Sequence, residues 1–115
     1  MQILIVDDSE LICEMLKMVC EGFGAEVKTC GSLDEVAEMS DPDWIISDLN
    51  LPGLDSNEPV EAYRSLGLSA PVILVSGRPQ EELDRIAARC QAKAAISKDH
   101  GIPGIAARLA TLLGQ

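Results

Sequence analysis

Three stretches of this chain are apolar without interruption: Ile3-Leu4-Ile5-Val6, Trp44-Ile45-Ile46 and Pro71-Val72-Ile73-Leu74-Val75. A strand with one face in water alternates apolar and polar residues, whereas a strand covered on both faces does not. Runs of this length, bounded by turn residues, therefore read as interior strands of a parallel sheet with helices on either side. Each run also stops abruptly, at Asp7-Asp8, at Ser47-Asp48 and at Ser76-Gly77. The sharpest boundary is Trp44 to Gly53, where the run ends in Asp48 and a Pro52-Gly53 turn follows.

The segments between the runs carry helical spacing. Ser9 offers an N-cap to a helix with Ile12, Met15, Leu16 and Val19 inward, closed by Gly22 and Gly24. Glu26 to Cys30 alternates, as a more exposed strand does. Ser32-Leu33-Asp34-Glu35 has the form of a capping box and predicts a short helix to about Met39, stopped by Asp41-Pro42. Val60, Tyr63 and Leu66 mark a third helix that Gly67 closes. Pro79 suits the first turn of a fourth, with Glu81 and Glu82 near its N-terminus and Leu83, Ile86, Ala87 and Cys90 buried. Lys93 to Ser97 is a weaker fifth strand, and Pro103 opens a last helix with Ile105, Leu109 and Leu112 inward. Five strands alternating with five helices predict an α/β, doubly wound parallel sheet with right-handed crossovers.

At 115 residues the chain reads as one domain, residues 1–115. A hydrophobic content of 47% excludes a disordered chain. No apolar run has the length of a membrane span, and Met1-Gln2 lead straight into a strand without a signal peptide, so a cytoplasmic protein with no membrane partner is expected. The net charge of −10 would repel a phosphate backbone, which argues against direct nucleic-acid binding. Cys13, Cys20, Cys30 and Cys90 have no C-x-x-C spacing, and Cys13 and Cys20 lie too far apart along one helix for a disulfide. Buried, reduced thiols are expected.

The polar residues that end the runs matter more together than singly. In a parallel sheet all C-terminal strand ends share one edge, where ligands bind. Asp7, Asp8, Asp48, Ser76 and Lys98 would therefore converge. Three crowded carboxylates raise a pKa or demand a cation, and hard oxygens with room for water suit Mg²⁺. An aspartate can attack phosphorus to form an acyl phosphate, while a lysine and a serine hydroxyl stabilise the phosphoryl oxygens. Taken alone, a strand-end Asp, a Ser-Gly pair or a Lys is an ordinary turn or surface residue.

On these segments the sequence resembles the receiver domain of bacterial two-component response regulators, of the chemotaxis type. The matching stretches are Ile3 to Ser9, Pro42 to Asp55, Pro71 to Gly77 and Ile96-Ser97-Lys98. The resemblance implies a flavodoxin-like (βα)5 sandwich with strand order 2-1-3-4-5. It implies that Asp48 accepts a phosphoryl group from a histidine kinase or phosphotransfer protein, that Asp7, Asp8, Asp48 and the Asn50 carbonyl bind Mg²⁺, and that Ser76 and Lys98 contact the phosphoryl group. Such a protein catalyses only its own phosphotransfer and dephosphorylation.

The chain departs from the family pattern at three places. Asp99 follows the lysine where receivers usually have a cis proline, Ala95 replaces the frequent aromatic switch residue, and Ser56 stands for a glycine. A trans Lys98–Asp99 bond is expected. With Ala95 in place, output to a downstream protein is expected through the Gly77-Arg78 loop, the 79–90 helix and the Ala95 face. His100 reads as exposed and idle, and Arg78 as a solvated residue at a helix start that could instead lean over the site. No output domain follows within the 115 residues, which reads as a stand-alone receiver, monomeric or weakly dimeric. Two other functions compete. One is a pseudo-receiver that binds partners without phosphorylation. The other is a haloacid-dehalogenase-like phosphatase, which wants an aspartate where this chain has Asn50.

Overall fold

Residues 1–114 are described by a computed structural model, and along them strands and helices alternate strictly. The order is β1 (Gln2–Val6), α1 (Glu10–Gly22), β2 (Glu26–Cys30), α2 (Leu33–Val36), β3 (Trp44–Ser47), α3 (Pro59–Ser65), β4 (Val72–Ser76), α4 (Gln80–Cys90), β5 (Ala94–Ser97), a 3-10 turn (Lys98–His100) and α5 (Gly101–Leu112). The strands form one parallel sheet in the order β2-β1-β3-β4-β5. This is the doubly wound arrangement expected from the apolar runs.

The runs are uninterrupted because alternate residues feed two separate cores. Leu4 and Val6 of β1, Ile45 of β3 and Leu74 of β4 face one side, where Val36, Val60, Tyr63, Leu83 and Ile86 of α2, α3 and α4 cover them. Ile3, Ile5, Ile46, Ile73 and Val75 face the other, against Cys13, Leu16 and Cys20 of α1 and Ile105 and Leu109 of α5. Burying each such side chain contributes about 1.5–3 kcal/mol, and doing so on both faces leaves little choice of strand register.

Local expectations were met with several displacements. The Ser9 hydroxyl caps α1, accepting from the Ile12 N–H at 3.3 Å. The buried stripe of α1 runs through Cys13, Leu16 and Cys20, so Ile12, Met15 and Val19 flank it half-buried. The Ser32 hydroxyl accepts from the Glu35 N–H, but the Glu35 carboxylate reaches Gly31 N–H rather than that of Ser32, one residue outside a regular capping box. Helix α2 ends at Val36, short of Met39, which still packs against the core. Leu66 is 37% exposed at the end of α3, and the buried position falls to Leu68 beyond Gly67. Gly67 has φ of +85°, the left-handed geometry that ends a helix and turns Leu68 inward. Pro79 is the N-cap of α4 rather than its first turn, and α5 begins at Gly101, ahead of Pro103, with Leu113 more deeply placed than Leu112.

All four cysteines are buried free thiols. Burial holds the Cys20 and Cys30 thiols up at about 11, far from reactive thiolates. Among the described residues no peptide bond is cis, so Lys98–Asp99 is trans. No helix among them is long and apolar enough to cross a membrane.

Candidate functional site

Strand register alone brings the polar run-ends to one edge. Val6 pairs with Ser47, so Asp7 and Asp48 leave β1 and β3 at the same level. Ser47 pairs with Leu74 and Ser76 with Ser97, which sets Ser76 one residue beyond the level of Asp48 and Lys98 one beyond Ser76. The turns are then locked by backbone bonds. Asp7 N–H donates to the Cys30 carbonyl at 3.0 Å and Asp48 N–H to the Val6 carbonyl at 2.9 Å, extending the ladder past the strand ends.

Each of Asp7, Asp8 and Asp48 has a carboxylate oxygen within 4.8 Å of the others'. Asp7 and Asp48 are 3% and 4% exposed, whereas Asp8 faces solvent. The Lys98 ammonium sits 3.1 Å from Asp7 Oδ2 and 3.7 Å from Asp48 Oδ1. Asp7 Oδ1 accepts the Ser9 N–H at 2.9 Å, and Asp48 Oδ1 the Leu49 N–H at 2.8 Å. Burial pushes the Asp48 carboxyl above the usual carboxylate range, with the Asp7 charge adding to it; Lys98 and the Asn50 and Leu49 N–H groups oppose the rise. Asn50 lies exposed in the loop that leaves β3.

The donor set fits a divalent cation. Three carboxylates against one ammonium leave two negative charges uncompensated, a deficit that one M²⁺ ion would close. The ligands are hard oxygens, and exposed Asp8 leaves room for the waters that Mg²⁺ retains. Asp7, Asp8, Cys13, Cys30 and Glu35 border a 390 Å³ pocket on this side. A larger groove of 720 Å³ lies elsewhere, between α4, β5 and α5, lined largely by alanines with Asp84, Lys93 and Arg108. It gathers no carboxylate cluster, whereas the smaller pocket is bordered by Asp7 and Asp8.

The remaining expected residues take distinct places. Ser76 is fully buried at the end of β4, its hydroxyl oxygen accepting the Arg78 N–H at 3.3 Å. Arg78 does not lean over the acids; its guanidinium pairs with Glu82 at 3.2 Å. Ala95 is buried in β5. His100 is exposed, as expected, and its Nε2 lies 3.0 Å from Gln80 Oε1.

Two features had no sequence signal. The buried Ser47 hydroxyl meets the Tyr63 hydroxyl at 2.5 Å, tying α3 to the strand that carries Asp48. Around β5, Ser97 and Gln80 form a hydrogen-bonded cluster that also engages Asp99 N–H, a donor that proline would lack. A hydroxyl within a strand and an amide on a helix surface read only as ordinary polar residues.

Comparison with known proteins agrees with this geometry. The sequence model for the response regulator receiver domain matches residues 3–110. The KDP operon transcriptional regulatory protein KdpE of Escherichia coli is 37% identical over 115 residues, covering 96% of this chain and 50% of the relative. The alkaline phosphatase synthesis transcriptional regulatory protein PhoP of Bacillus subtilis is 34% identical over 88 residues, 74% of this chain and 36% of the relative. The chain thus spans half or less of these two relatives. Among solved structures, the chemotaxis response regulator CheY4 of Vibrio cholerae superimposes with a TM-score of 0.78 at 25% identity, over 96% of this chain and 97% of that one. The Francisella response regulator 1452 receiver domain shares the fold, with a TM-score of 0.79 at 21% identity over 98% and 96% of the two chains. With the fold, the acidic edge and a match along nearly its whole length in agreement, this chain belongs to the response regulator receiver domain family.

Proposed function

We propose that this chain, as a single receiver over residues 1–115, is a phosphorylation-controlled switch in which Asp48 accepts a phosphoryl group from a histidine kinase or phosphotransfer protein. The observation that carries the reading is the Asp7–Asp8–Asp48 cluster with Lys98 against two of its members. Asp7, Asp8, Asp48 and the Asn50 carbonyl would hold Mg²⁺. When bound, the ion supplies positive charge to the phosphoryl oxygens and neutralises the repulsion among the carboxylates.

The chain's own residues do the rest. An Asp48 oxygen attacks phosphorus; the bond from phosphorus to the donor nitrogen breaks, and its electron pair leaves with that nitrogen. Leu49 N–H holds the other end of the problem, fixing Oδ1 at 2.8 Å so that the carboxylate cannot rotate freely. Lys98 moves with its charge from the carboxylates toward the incoming oxygens, and the Ser76 hydroxyl donates to one of them once drawn inward.

Output runs through the Gly77-Arg78 loop and α4 to a protein partner that touches the α4 and Ala95 face, in the cytoplasm and without direct contact to nucleic acid or membrane. The test is incubation with phosphoramidate, with and without Mg²⁺, followed by intact mass. A gain of one phosphoryl group that requires the metal is expected. No gain under any condition would leave a phosphorylation-independent interaction module instead.

A further inference from the structure

The cluster around β5 lies next to Lys98 in the chain. Lys93 N–H donates to the Val72 carbonyl at 2.8 Å. In a parallel ladder every second residue faces the same neighbour, so Ala95 and Ser97 also turn their backbone groups toward β4. Opposite Ser97, β4 reaches its last residue, Ser76, before the chain turns toward α4. There the Gln80 side chain enters: its Oε1 accepts the Ser97 N–H at 2.9 Å, and its Nε2 donates to the Ala95 carbonyl at 2.8 Å. A primary amide is planar, with one acceptor and donors, so it can bond the N–H and the C=O at the end of β5 at the same time, where the β4–β5 ladder stops.

The same amide is itself held. Nε2 also reaches Asp84 Oδ1 at 2.8 Å, one turn along α4, and Oε1 meets His100 Nε2 at 3.0 Å. Ser97 closes the loop, its hydroxyl donating to the Arg78 carbonyl at 2.7 Å and accepting Asp99 N–H at 3.1 Å. The residue after this clamped serine is Lys98. Both flanks of the lysine are fixed, by Ser97 on one side and by the 3-10 turn that Ser97 caps on the other.

We propose that Gln80 is a positioning residue for Lys98: acting through Ser97, it fixes the β5 end so that the ammonium is presented to Asp7 and Asp48. It rests on the phosphoryl-transfer reading for its effect on rate, but not for its effect on structure. The same bonds join the Ser76–Arg78 loop to β5, so movement of that loop on phosphorylation is passed to the lysine and to the Ala95 face together. A 1 Å error in placing such a group costs about a hundredfold in rate, so a modest loosening is measurable.

Gln80→Met keeps length and helix propensity while removing every amide bond. Three readouts compare it with wild type: the Ser97 amide exchange rate and the order of the Lys98 ammonium nitrogen by NMR, both without phosphodonor, and Asp48 labelling by phosphoramidate at saturating Mg²⁺. Faster Ser97 exchange, lower Lys98 order and labelling slowed about tenfold or more, with Mg²⁺ affinity within about twofold of wild type, are expected. Leu109→Val, a core change in α5, controls for stability alone and should leave Lys98 order and labelling unchanged. Unaltered Lys98 order in Gln80→Met, or equal slowing in Leu109→Val, overturns the proposal. Failure of wild type to label overturns the phosphoryl-transfer reading, while the two NMR comparisons still decide the clamp.

Discussion

The two halves of the site are built on opposite principles. On the β1–β3 side, Asp7, Asp8 and Asp48 crowd like charges together, two of them buried, with one shared lysine as counter-charge. On the β4–β5 side, Gln80 bonds Ser97, and Ser76, Ser97 and Gln80 all bond backbone groups, so most partners are neutral. The acidic half carries uncompensated negative charge, which the cation of the proposed function would offset. The neutral half is complete, so anything that draws Ser76 inward must exchange bonds already made. A ligand shifts such an equilibrium only by its difference in affinity for the two arrangements. Under the proposed function, the contrast separates a half that binds from a half that responds.

The sharpest way to break this comparison is Asp48→Asn. The amide keeps the shape and removes the nucleophile, so phosphoramidate labelling should vanish while the fold persists, by circular dichroism. Labelling at the wild-type rate would place the acceptor elsewhere. Next in size is the cation itself. Mg²⁺ at about a hundredfold above its Kd should stabilise the folded protein by about 2.7 kcal/mol, read as a rise in Tm. Asp8→Ala should lose most of that gain, whereas Ser97→Ala should keep it. Equal losses in both variants would mean that the halves are not separate.

The acidic half was legible in the sequence because its residues sit at the ends of apolar runs, and parallel topology alone brings such ends together. Asp7, Asp48, Ser76 and Lys98 could be placed at one edge from run boundaries. Uninterrupted runs also foretold a sheet covered on both faces, whereas the strand order came only from the resemblance to receiver domains. The neutral half was not legible. Gln80 occupies the first position of α4, where an exposed polar residue carries no signal, and its partners lie 15 to 20 residues away on β5 and the turn after it. Ser47 and Tyr63 escaped likewise, since a hydroxyl in a strand and a phenol on a helix reveal nothing until packing faces them. Leu66 was misplaced because helical spacing continued past a helix that Gly67 had already turned.

Without metal, pH separates the halves by sign. The folded Asp48 carboxyl lies above its unfolded value because burial and Asp7 oppose its charge. A raised folded value favours folding below the unfolded pKa, near 3.9, and that contribution is lost as pH rises through the folded one. Asp48→Asn should therefore be more stable than wild type at neutral pH, with the gap closing as the solution is acidified toward about pH 4. Urea unfolding at several pH values measures it; a gap that widens on acidification would contradict the assignment. Ser97→Ala should instead cost about 1 kcal/mol, with little pH dependence, because its hydroxyl meets only the Arg78 carbonyl and the Asp99 N–H.

The smallest expected effect is at Trp44. It begins β3 and is half-buried against the core shared with α1 and α5, whereas Asp48 leaves the strand at the other end. Four residues of strand at about 3.3 Å each put the two roughly 13 Å apart. A cation bound by the acids changes charge locally, and across that distance its field is weakened by the sheet's surroundings and by salt, with a Debye length of about 8 Å at physiological ionic strength. Ion binding also leaves the strand ladder between them intact, because Asp48 N–H and the residues before it are already paired with β1. Trp44 fluorescence should therefore change little on saturation with Mg²⁺, even as calorimetry records binding. A large quench with no change in oligomeric state would show that the binding half reaches through β3 to the opposite end of the sheet, and the separation between a half that binds and a half that responds would no longer describe this molecule.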